Sequence, residues 1–113
     1  MLPKKRRIQR SSFSNIFSRG KRHNSTNLLL YVATSDKNEP SRFSFSVSKK
    51  VNKKAVDRNK LRRRGYSVVS RYLDKIKPNF LCLFSFKLGS GKIKFNELEK
   101  EIYSLLRSGG VLE

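Results

Sequence analysis

The chain has 113 residues, of which 27 are Lys or Arg and 8 are Asp or Glu, so its formal net charge at pH 7 is +19. This length suits one domain with a modest core, and the charge far exceeds what solubility needs, so an anionic partner is expected. The single cysteine excludes a disulfide framework within the chain and fits a reducing cytoplasm, and the longest apolar runs are too short to span a bilayer.

The positive charge is concentrated in the first part of the chain. Residues 1–64 hold 19 Lys or Arg and 3 Asp or Glu, whereas residues 65–113 hold 8 and 5. We therefore expect the first part to form a binding surface and the second part to complete the fold. Residues 1–10 have little apolar content, so they are predicted to be a flexible basic arm, and no apolar stretch of a secretory signal follows them.

A short helix is expected over residues 11–19, capped by one of its two leading serines and stopped by a left-handed Gly20. Its apolar residues, Phe13, Ile16 and Phe17, have the spacing of one helix face. Ile16 is assigned to the core. Phe13 and Phe17 suit either the core or the stacking of a flat ligand beside the neighbouring cations, and the sequence favours neither role.

Two strands are expected next. Residues 21–27 are predicted to be a polar connection, and Leu28–Thr34 a buried strand that contains Tyr31. The stretch 42–48 alternates, with aromatic or aliphatic residues on one side only. The opposite side carries small or cationic residues, namely Arg42, Ser44, Ser46 and Ser48. Such a face is left either to water or to a ligand.

A basic helix is predicted over residues 57–76, preceded by a basic lead-in over residues 46–56. Residues 49–64 contain nine cations and one acid, Asp57, which is expected to cap the helix. A run of charges often marks only a solvated helix face. Nine nearly unopposed cations favour a nucleic acid instead, because like charges one turn apart destabilise a helix that meets no anion.

The remaining elements complete an α+β fold. Residues 80–87 are predicted to be an interior strand, and a final amphipathic helix is expected to start near an Asn96–Glu99 capping pair and to end at Gly109 and Gly110. The sequence thus predicts one domain over residues 1–113, a two-layer sandwich of three helices and a small mixed sheet. The acids lack a catalytic spacing, and the lone histidine, His23, has no metal-ligand neighbours, so no catalytic or metal-binding residue is assigned.

Several motifs resemble those of the bacterial ribonuclease P protein component. The segment SVSKKVNKKAVDRNKLRRR resembles the signature of that family, a strand ending in Ser-Lys-Lys followed by Arg-Asn-Arg-x-Lys-Arg at a helix start. Lys60 stands where the family prefers arginine, Arg62 where it prefers lysine, and Tyr66 where many members have another arginine. The segment FSNIFSRGKR is similar to the first helix of the family, so the resemblance covers nearly the whole chain.

The resemblance implies specific roles for these residues. It implies a short additional strand and a left-handed strand–helix–strand crossover. It also implies docking on a catalytic RNA through the basic helix and its lead-in, here Lys49, Lys50, Lys53, Lys54, Arg58, Asn59, Lys60, Arg62, Arg63 and Arg64. The 5′ leader of precursor tRNA is expected in a groove edged by Phe13, Phe17 and Tyr31.

By this resemblance the chain is expected to be a cytoplasmic subunit of an endoribonuclease that matures the 5′ end of tRNA. The RNA subunit and its Mg²⁺ are expected to carry the hydrolysis, and the protein alone is expected to be inactive and to bind no cofactor, membrane or small substrate. Composition alone fits a second hypothesis, a structural RNA-binding protein such as a ribosomal protein or an RNA chaperone. A DNA-binding module is a third, for which no helix-turn-helix pattern is seen.

Overall fold

The structure is a computed structural model that describes residues 2–113, and these form three helices and four strands in one α+β domain. The helices are α1 (Phe13–Arg19), α2 (Ala55–Arg71) and α3 (Phe95–Ser108), and the strands are β1 (Lys21–Asn24), β2 (Leu28–Thr34), β3 (Arg42–Ser46) and β4 (Phe80–Phe86). Within this described range, no helix combines the length and the apolar character needed to cross a membrane. The predicted fold class, with three helices on a small mixed sheet, is confirmed.

The four strands lie in the order β1-β2-β4-β3. β2 is antiparallel to both β1 and β4, whereas β3 is parallel to β4, with Phe45 opposite Phe84. The chain therefore crosses from β3 through α2 to its parallel neighbour β4, as the resemblance implies, and the left hand of this crossover stays a prediction. β1 lies within the stretch that the residue pattern predicted to be a polar connection, and it is the additional strand that the resemblance implied.

The main core lies between one face of the sheet and the helices α2 and α3. Alternate residues of the strands point into it, among them Leu30, Phe43 and Phe84, which are fully buried. The other face of the sheet is covered only in part, where α1 inserts the fully buried Ile16 against Leu83. This uneven cover leaves the outer face of β3 open.

Gly65 allows α2 to lie very close to the sheet. A Cβ atom at this position would come within 2.5 Å of ring atoms of Phe45. The Phe45 ring is stacked on Phe84, with centroids 4.7 Å apart, and meets Tyr66 edge-on at 5.0 Å. The glycine costs about 1 kcal/mol of helix propensity, and this close packing is what it permits.

Several predicted helix details are wrong. Helix α2 ends at Arg71 instead of residue 76, and a 3₁₀ turn over Leu73–Lys75 follows. It begins at Ala55, so Asp57 lies inside the first turn rather than at the cap. Likewise α3 begins at Phe95, which rules out the cap role predicted for Asn96. Helix propensity varies little between adjacent residues, so tertiary contacts decide where the ends lie.

Gly20 stops α1 by a different means from the one predicted. Its φ of −71° and ψ of 145° are extended, not left-handed. A Cβ atom there would collide with the carbonyl oxygen of Ile16, whereas the Gly20 amide donates to that oxygen at 2.8 Å. The glycine is thus needed because β1 leaves the helix end at very close range.

The N-terminal segment, residues 2–9, is packed on the fold; the flexibility that the sequence predicted for it stays a prediction. Leu2 is buried in the main core, and Ile8 is buried beside Ile16. The Ile8 amide donates to the carbonyl of Phe43 at 3.0 Å, so the segment runs parallel to β3 at the sheet edge. Two apolar side chains and this edge pairing fasten a stretch whose average composition is polar; Met1 lies outside the described residues.

Candidate RNA-binding surface

An open groove of about 1000 Å³ lies over the outer face of β3. We name it the β3 groove. The N-terminal segment forms one wall and Phe13 of α1 another, while Arg62 and Tyr66 of α2 reach it from the side. Its floor carries the small and cationic residues that the alternation of the strand predicted, Arg42, Ser44 and Ser46. Small side chains keep this floor low, so a flat ligand is able to approach the strand.

A second cavity of about 470 Å³ adjoins the β3 groove along α2. We name it the α2 pocket. It is lined by Val56, Asn59 and Arg63, together with three residues that also line the β3 groove, Arg7, Arg62 and Tyr66. Asn59 Oδ1 accepts a hydrogen bond of 2.5 Å from Nη1 of Arg62, which fixes the direction of that guanidinium. Three of the predicted docking residues are thus brought together on one flank of the helix.

Tyr66 is buried, although it stands where the resemblance places an arginine in many family members. It is 7% exposed and packs against Phe45, because the close seat of α2 turns this flank of the helix towards the sheet. Its position still allows it to line both cavities. Tyr66 therefore contributes an aromatic wall where many family members, by resemblance, carry a cation.

Arg58 has a structural task in addition to its predicted one. Its Nη1 donates to the carbonyl oxygens of Asn52 and Lys53, at 3.0 and 2.7 Å. The guanidinium thereby ties the basic lead-in to the first turn of α2. Its contact with RNA stays a prediction, with the remaining guanidinium N–H groups as the donors.

The other predicted docking residues lie elsewhere around α2. Lys60 and Arg64 line a separate pocket of about 300 Å³ with Lys92 from the loop before α3. The four lysines of the lead-in are exposed, namely Lys49, Lys50, Lys53 and Lys54. The predicted set is therefore spread over two flanks and one loop, so it forms a belt of charge rather than a single cluster.

The three aromatic residues predicted for the leader divide into two places. Phe13 is half-buried against Ile8 and Ile16 and lines the β3 groove. Phe17 is 53% exposed and meets Tyr31 edge-on, with ring centroids 5.0 Å apart. The Phe17–Tyr31 pair thus offers an accessible ring on the outer face, while Phe13 combines a packing role with a place in the groove. Ile16 is in the core, as predicted.

No acidic side chain is among the residues that line the β3 groove or the α2 pocket, within the part of the chain that the structure describes. Glu39 lies beside the groove and forms an ion pair of 3.5 Å with Arg42, the cation at the start of its floor. The cavities are therefore places where positive potential is concentrated and an anion is favoured.

Outside these cavities, burial raises the pKa of the Cys82 thiol, so this cysteine is kept neutral inside the sheet.

The N-terminal segment adds the cations Lys4, Lys5 and Arg7 to the β3 groove. The sequence assigned them to a basic arm but did not predict their place beside β3. Leu2 and Ile8 were the available signal for this packing, because two apolar residues that flank a basic run are able to anchor it to a core. Sequence reasoning also missed Lys92, which the fold brings beside α2 from a distant loop. Such pairings depend on the sheet order, which a local pattern does not contain.

These features define a small basic α+β protein whose donors and aromatic rings suit a nucleic acid. A family model described as Ribonuclease P matches residues 2–109. Similar proteins include the ribonuclease P protein component of Synechocystis sp., 32% identical over 99% of this chain and 91% of that protein. The corresponding component of Beutenbergia cavernae is 35% identical over 98% of this chain and 93% of that protein.

Solved structures share the fold. The RNase P protein of Staphylococcus aureus superposes with a TM-score of 0.86 at 19% identity, covering 96% of this chain and 98% of that one. The RNase P protein of Thermotoga maritima gives a TM-score of 0.81 at 22% identity, covering 90% and 96%. The chain belongs to the ribonuclease P protein family. It is a protein subunit of the ribonucleoprotein that processes the 5′ end of tRNA, and the holoenzyme is an endoribonuclease. This family membership excludes the alternative hypothesis of a ribosomal-type protein.

Proposed function

We propose that the chain binds two RNAs with two parts of one surface. The belt of cations around α2 and its lead-in docks on the catalytic RNA, and the outer face of the sheet holds the 5′ leader of precursor tRNA. The observation that carries the proposal is the open, acid-free groove over β3, bordered by cations and continued by the accessible Phe17 ring. A polar strand face left uncovered beside so much positive charge is suited to a phosphate backbone.

The chemistry of docking is charge neutralisation. Each cation that meets a phosphate releases condensed counterions, so affinity falls as salt rises. Exposed residues such as Lys60 and Arg63 supply such contacts without changing the core. Because these cations are fixed in rows on a packed helix, they reduce the repulsion between RNA strands that must come together.

The chemistry of leader binding is stacking plus charge. An aromatic ring binds any base, since every base has a π face, and a neighbouring cation holds the phosphate. Phe17 is supported edge-on by Tyr31, which keeps its ring in place for a base. The leader is absent from mature tRNA, so these contacts would distinguish substrate from product.

We further propose that catalysis rests with the RNA subunit, which would hold the Mg²⁺, in the cytoplasm where both RNAs are found. Within residues 2–113, no three His, Cys, Asp or Glu side chains converge closely enough to hold a metal ion. Two acids of the chain, Glu99 and Glu101, accept hydrogen bonds from its other residues. The role of the protein is then positioning and electrostatics.

The test of leader binding is Phe17→Ala in the reconstituted holoenzyme. We expect affinity for precursor tRNA to fall by about 1–3 kcal/mol and affinity for mature tRNA to be unchanged, because only the precursor offers a base to stack. The melting temperature should stay close to that of the unchanged protein, since the ring is half exposed.

Leu88→Ala is the control, because Leu88 is also an exposed apolar residue, at 71%, but lies in the loop after β4. It should change neither affinity. Equal weakening of both tRNAs by Phe17→Ala, or a large fall in melting temperature, would return Phe17 to a packing role.

A further inference from the structure

Arg6 and Arg7 are consecutive cations with opposite environments. Nε of Arg6 donates to the carbonyl oxygen of the buried Ser41 at 2.9 Å, which fastens the N-terminal segment to the start of β3. The backbone of Arg7 bridges Phe43, and its carbonyl accepts a hydrogen bond from Arg42 at 3.3 Å. Arg6 ends a 3₁₀ turn and lines a cavity together with Ser41, whereas Arg7 is the extended residue that follows and lines the β3 groove.

The Arg7 guanidinium has an unsatisfied donor. Its Nε is buried and, within residues 2–113, has no hydrogen-bond partner. A buried charged donor without an acceptor is unfavourable, so such a group indicates a ligand that is missing from the isolated chain. Arg7 lines both the β3 groove and the α2 pocket, so its donors lie where these cavities meet.

Arg62 lies at the same junction, from the opposite wall. It also lines both cavities, and Asn59 holds its guanidinium by one N–H, leaving the others for a ligand. Two guanidinium groups that face one cavity repel each other unless an anion lies between them. The planar fork of arginine matches two oxygens of a phosphate, and the negative charge of the phosphate neutralises the guanidinium. A carboxamide or a carbonyl ligand is uncharged and would leave the two positive charges opposed.

We propose that Arg7 and Arg62 form a clamp for one phosphodiester of RNA at the junction of the β3 groove and the α2 pocket. The proposal rests on the function proposed above and adds to it a residue of the N-terminal segment. The phosphodiester belongs either to the leader, which continues along the β3 groove, or to the catalytic RNA. The chemistry of the site is the same for both.

The experiment compares Arg7→Ala, Arg7→Lys and Arg7→Gln in the reconstituted holoenzyme. Three affinities are measured over a range of salt: the holoenzyme for precursor tRNA, the holoenzyme for mature tRNA, and the protein for the catalytic RNA alone. We expect Arg7→Ala to weaken one of these about tenfold and to reduce its salt slope by about 1. Arg7→Lys should keep the slope but not the full affinity, because an ammonium group lacks the fork.

Two control variants separate the clamp from charge and from folding. Arg107→Ala removes one cation from α3, where Arg107 lies over the Tyr103 ring, and should leave all three affinities unchanged. Arg6→Ala should lower the melting temperature, because it removes the bond to Ser41, without reducing the salt slope. Arg7→Gln keeps the packed stem of the side chain, so it reports on the charge even where Arg7→Ala loosens the segment.

Each outcome has one meaning. A loss confined to precursor tRNA assigns the clamp to the leader, and a loss with the catalytic RNA alone assigns it to that RNA. Unchanged affinity and salt slope for Arg7→Gln and Arg7→Ala overturn the clamp. If Phe17→Ala in that case still weakens the binding of precursor tRNA and leaves that of mature tRNA unchanged, leader binding stands and only the clamp is wrong. If Phe17→Ala weakens neither tRNA, or both equally, the proposed leader binding itself fails.

Discussion

Arg62 and Arg71 belong to the same helix, but only Arg71 is paired with an acidic side chain. Arg71 donates to Oε2 of Glu99 at 2.7 Å, and its guanidinium lies 5.0 Å from the centroid of the Phe95 ring. Arg62 faces two cavities that no acid lines, within the described part of the chain. The difference shows that the number of cations on a helix does not define a ligand surface. What defines it is the absence of local acids to neutralise them.

The same contrast separates the two halves of the molecule. Around α3, acids and donors are matched: Glu101 accepts hydrogen bonds from the backbone amide and the side chain of Asn27, at 2.8 and 2.6 Å. Around the β3 groove, cations line an open cavity and no acid lines it with them, within the described part of the chain. The charges around α3 are therefore paired inside the protein, whereas those of the groove, apart from the Arg42–Glu39 pair, are left without acidic partners in its lining. Three sets of substitutions test this contrast.

The largest expected effect is that of Gly65→Ala, at the seat of α2 between the two halves. The new Cβ would come within 2.5 Å of the buried Phe45 ring, which Phe84 holds from the other side. Overpacking of this kind costs about 1–3 kcal/mol, and the gain of about 1 kcal/mol in helix propensity only partly offsets it. Urea denaturation should show a lower free energy of unfolding.

Ser67→Ala is the matched control, since Ser67 is an exposed residue of the same helix. It should be neutral or slightly stabilising. A Gly65→Ala variant as stable as the Ser67→Ala variant would mean that α2 is able to move away from Phe45 without cost. In that case the position of Arg62 over the groove would not depend on the glycine.

A smaller effect is expected from Glu101→Gln, in the half where charges are matched. Burial alone would raise the pKa of Glu101, but hydrogen bonds from Asn27 and Ser25 and the charge of Lys87 bring it below its ordinary value. The folded pKa is thus lower than the unfolded one. The resulting stabilisation is fully present above the ordinary carboxyl pKa and is lost as the pH falls through the lowered folded pKa.

Glu101→Gln should therefore cost about 1 kcal/mol near neutral pH, and the gap from the unchanged protein should close in acid. Denaturation curves at several pH values measure it. Glu97→Gln serves as the control, because Glu97 is exposed in the first turn of α3. A gap that stays constant down to strongly acidic pH would mean that the charge of Glu101 does not stabilise the fold.

The parts of the fold that the sequence predicts are those with a local period. The alternation in β3 placed Phe43 and Phe45 inside and Ser44 outside, because successive strand residues point to opposite faces. Leu61 and Val68 of α2, seven residues apart and therefore on one helix face, are both buried as helical periodicity requires. Both patterns are written in adjacent residues, so no knowledge of the sheet order is needed to read them.

The parts that the sequence does not predict depend on distant contacts. Tyr66 looks exposed on a helical wheel, yet it is buried because Gly65 lets the helix sink onto Phe45. Arg7 looks like part of a loose arm, yet edge pairing with Phe43 directs it to the groove. In both cases one long-range contact decides the role of a residue whose local surroundings indicate the opposite.

The smallest expected effect sharpens the contrast on α2 itself, by comparing Arg63→Ala with Arg71→Ala. Both remove one exposed cation of the same helix, but Arg63 lines the α2 pocket and Arg71 is paired with Glu99. If Arg63 meets a phosphate, its loss should reduce the salt slope for binding the catalytic RNA by about 1, which is about fourfold in affinity between 50 and 200 mM salt. Arg71→Ala should leave the slope unchanged, because its charge is already neutralised within the protein. Equal slopes for the two variants would mean that total charge governs RNA binding and that local acids do not select the surface.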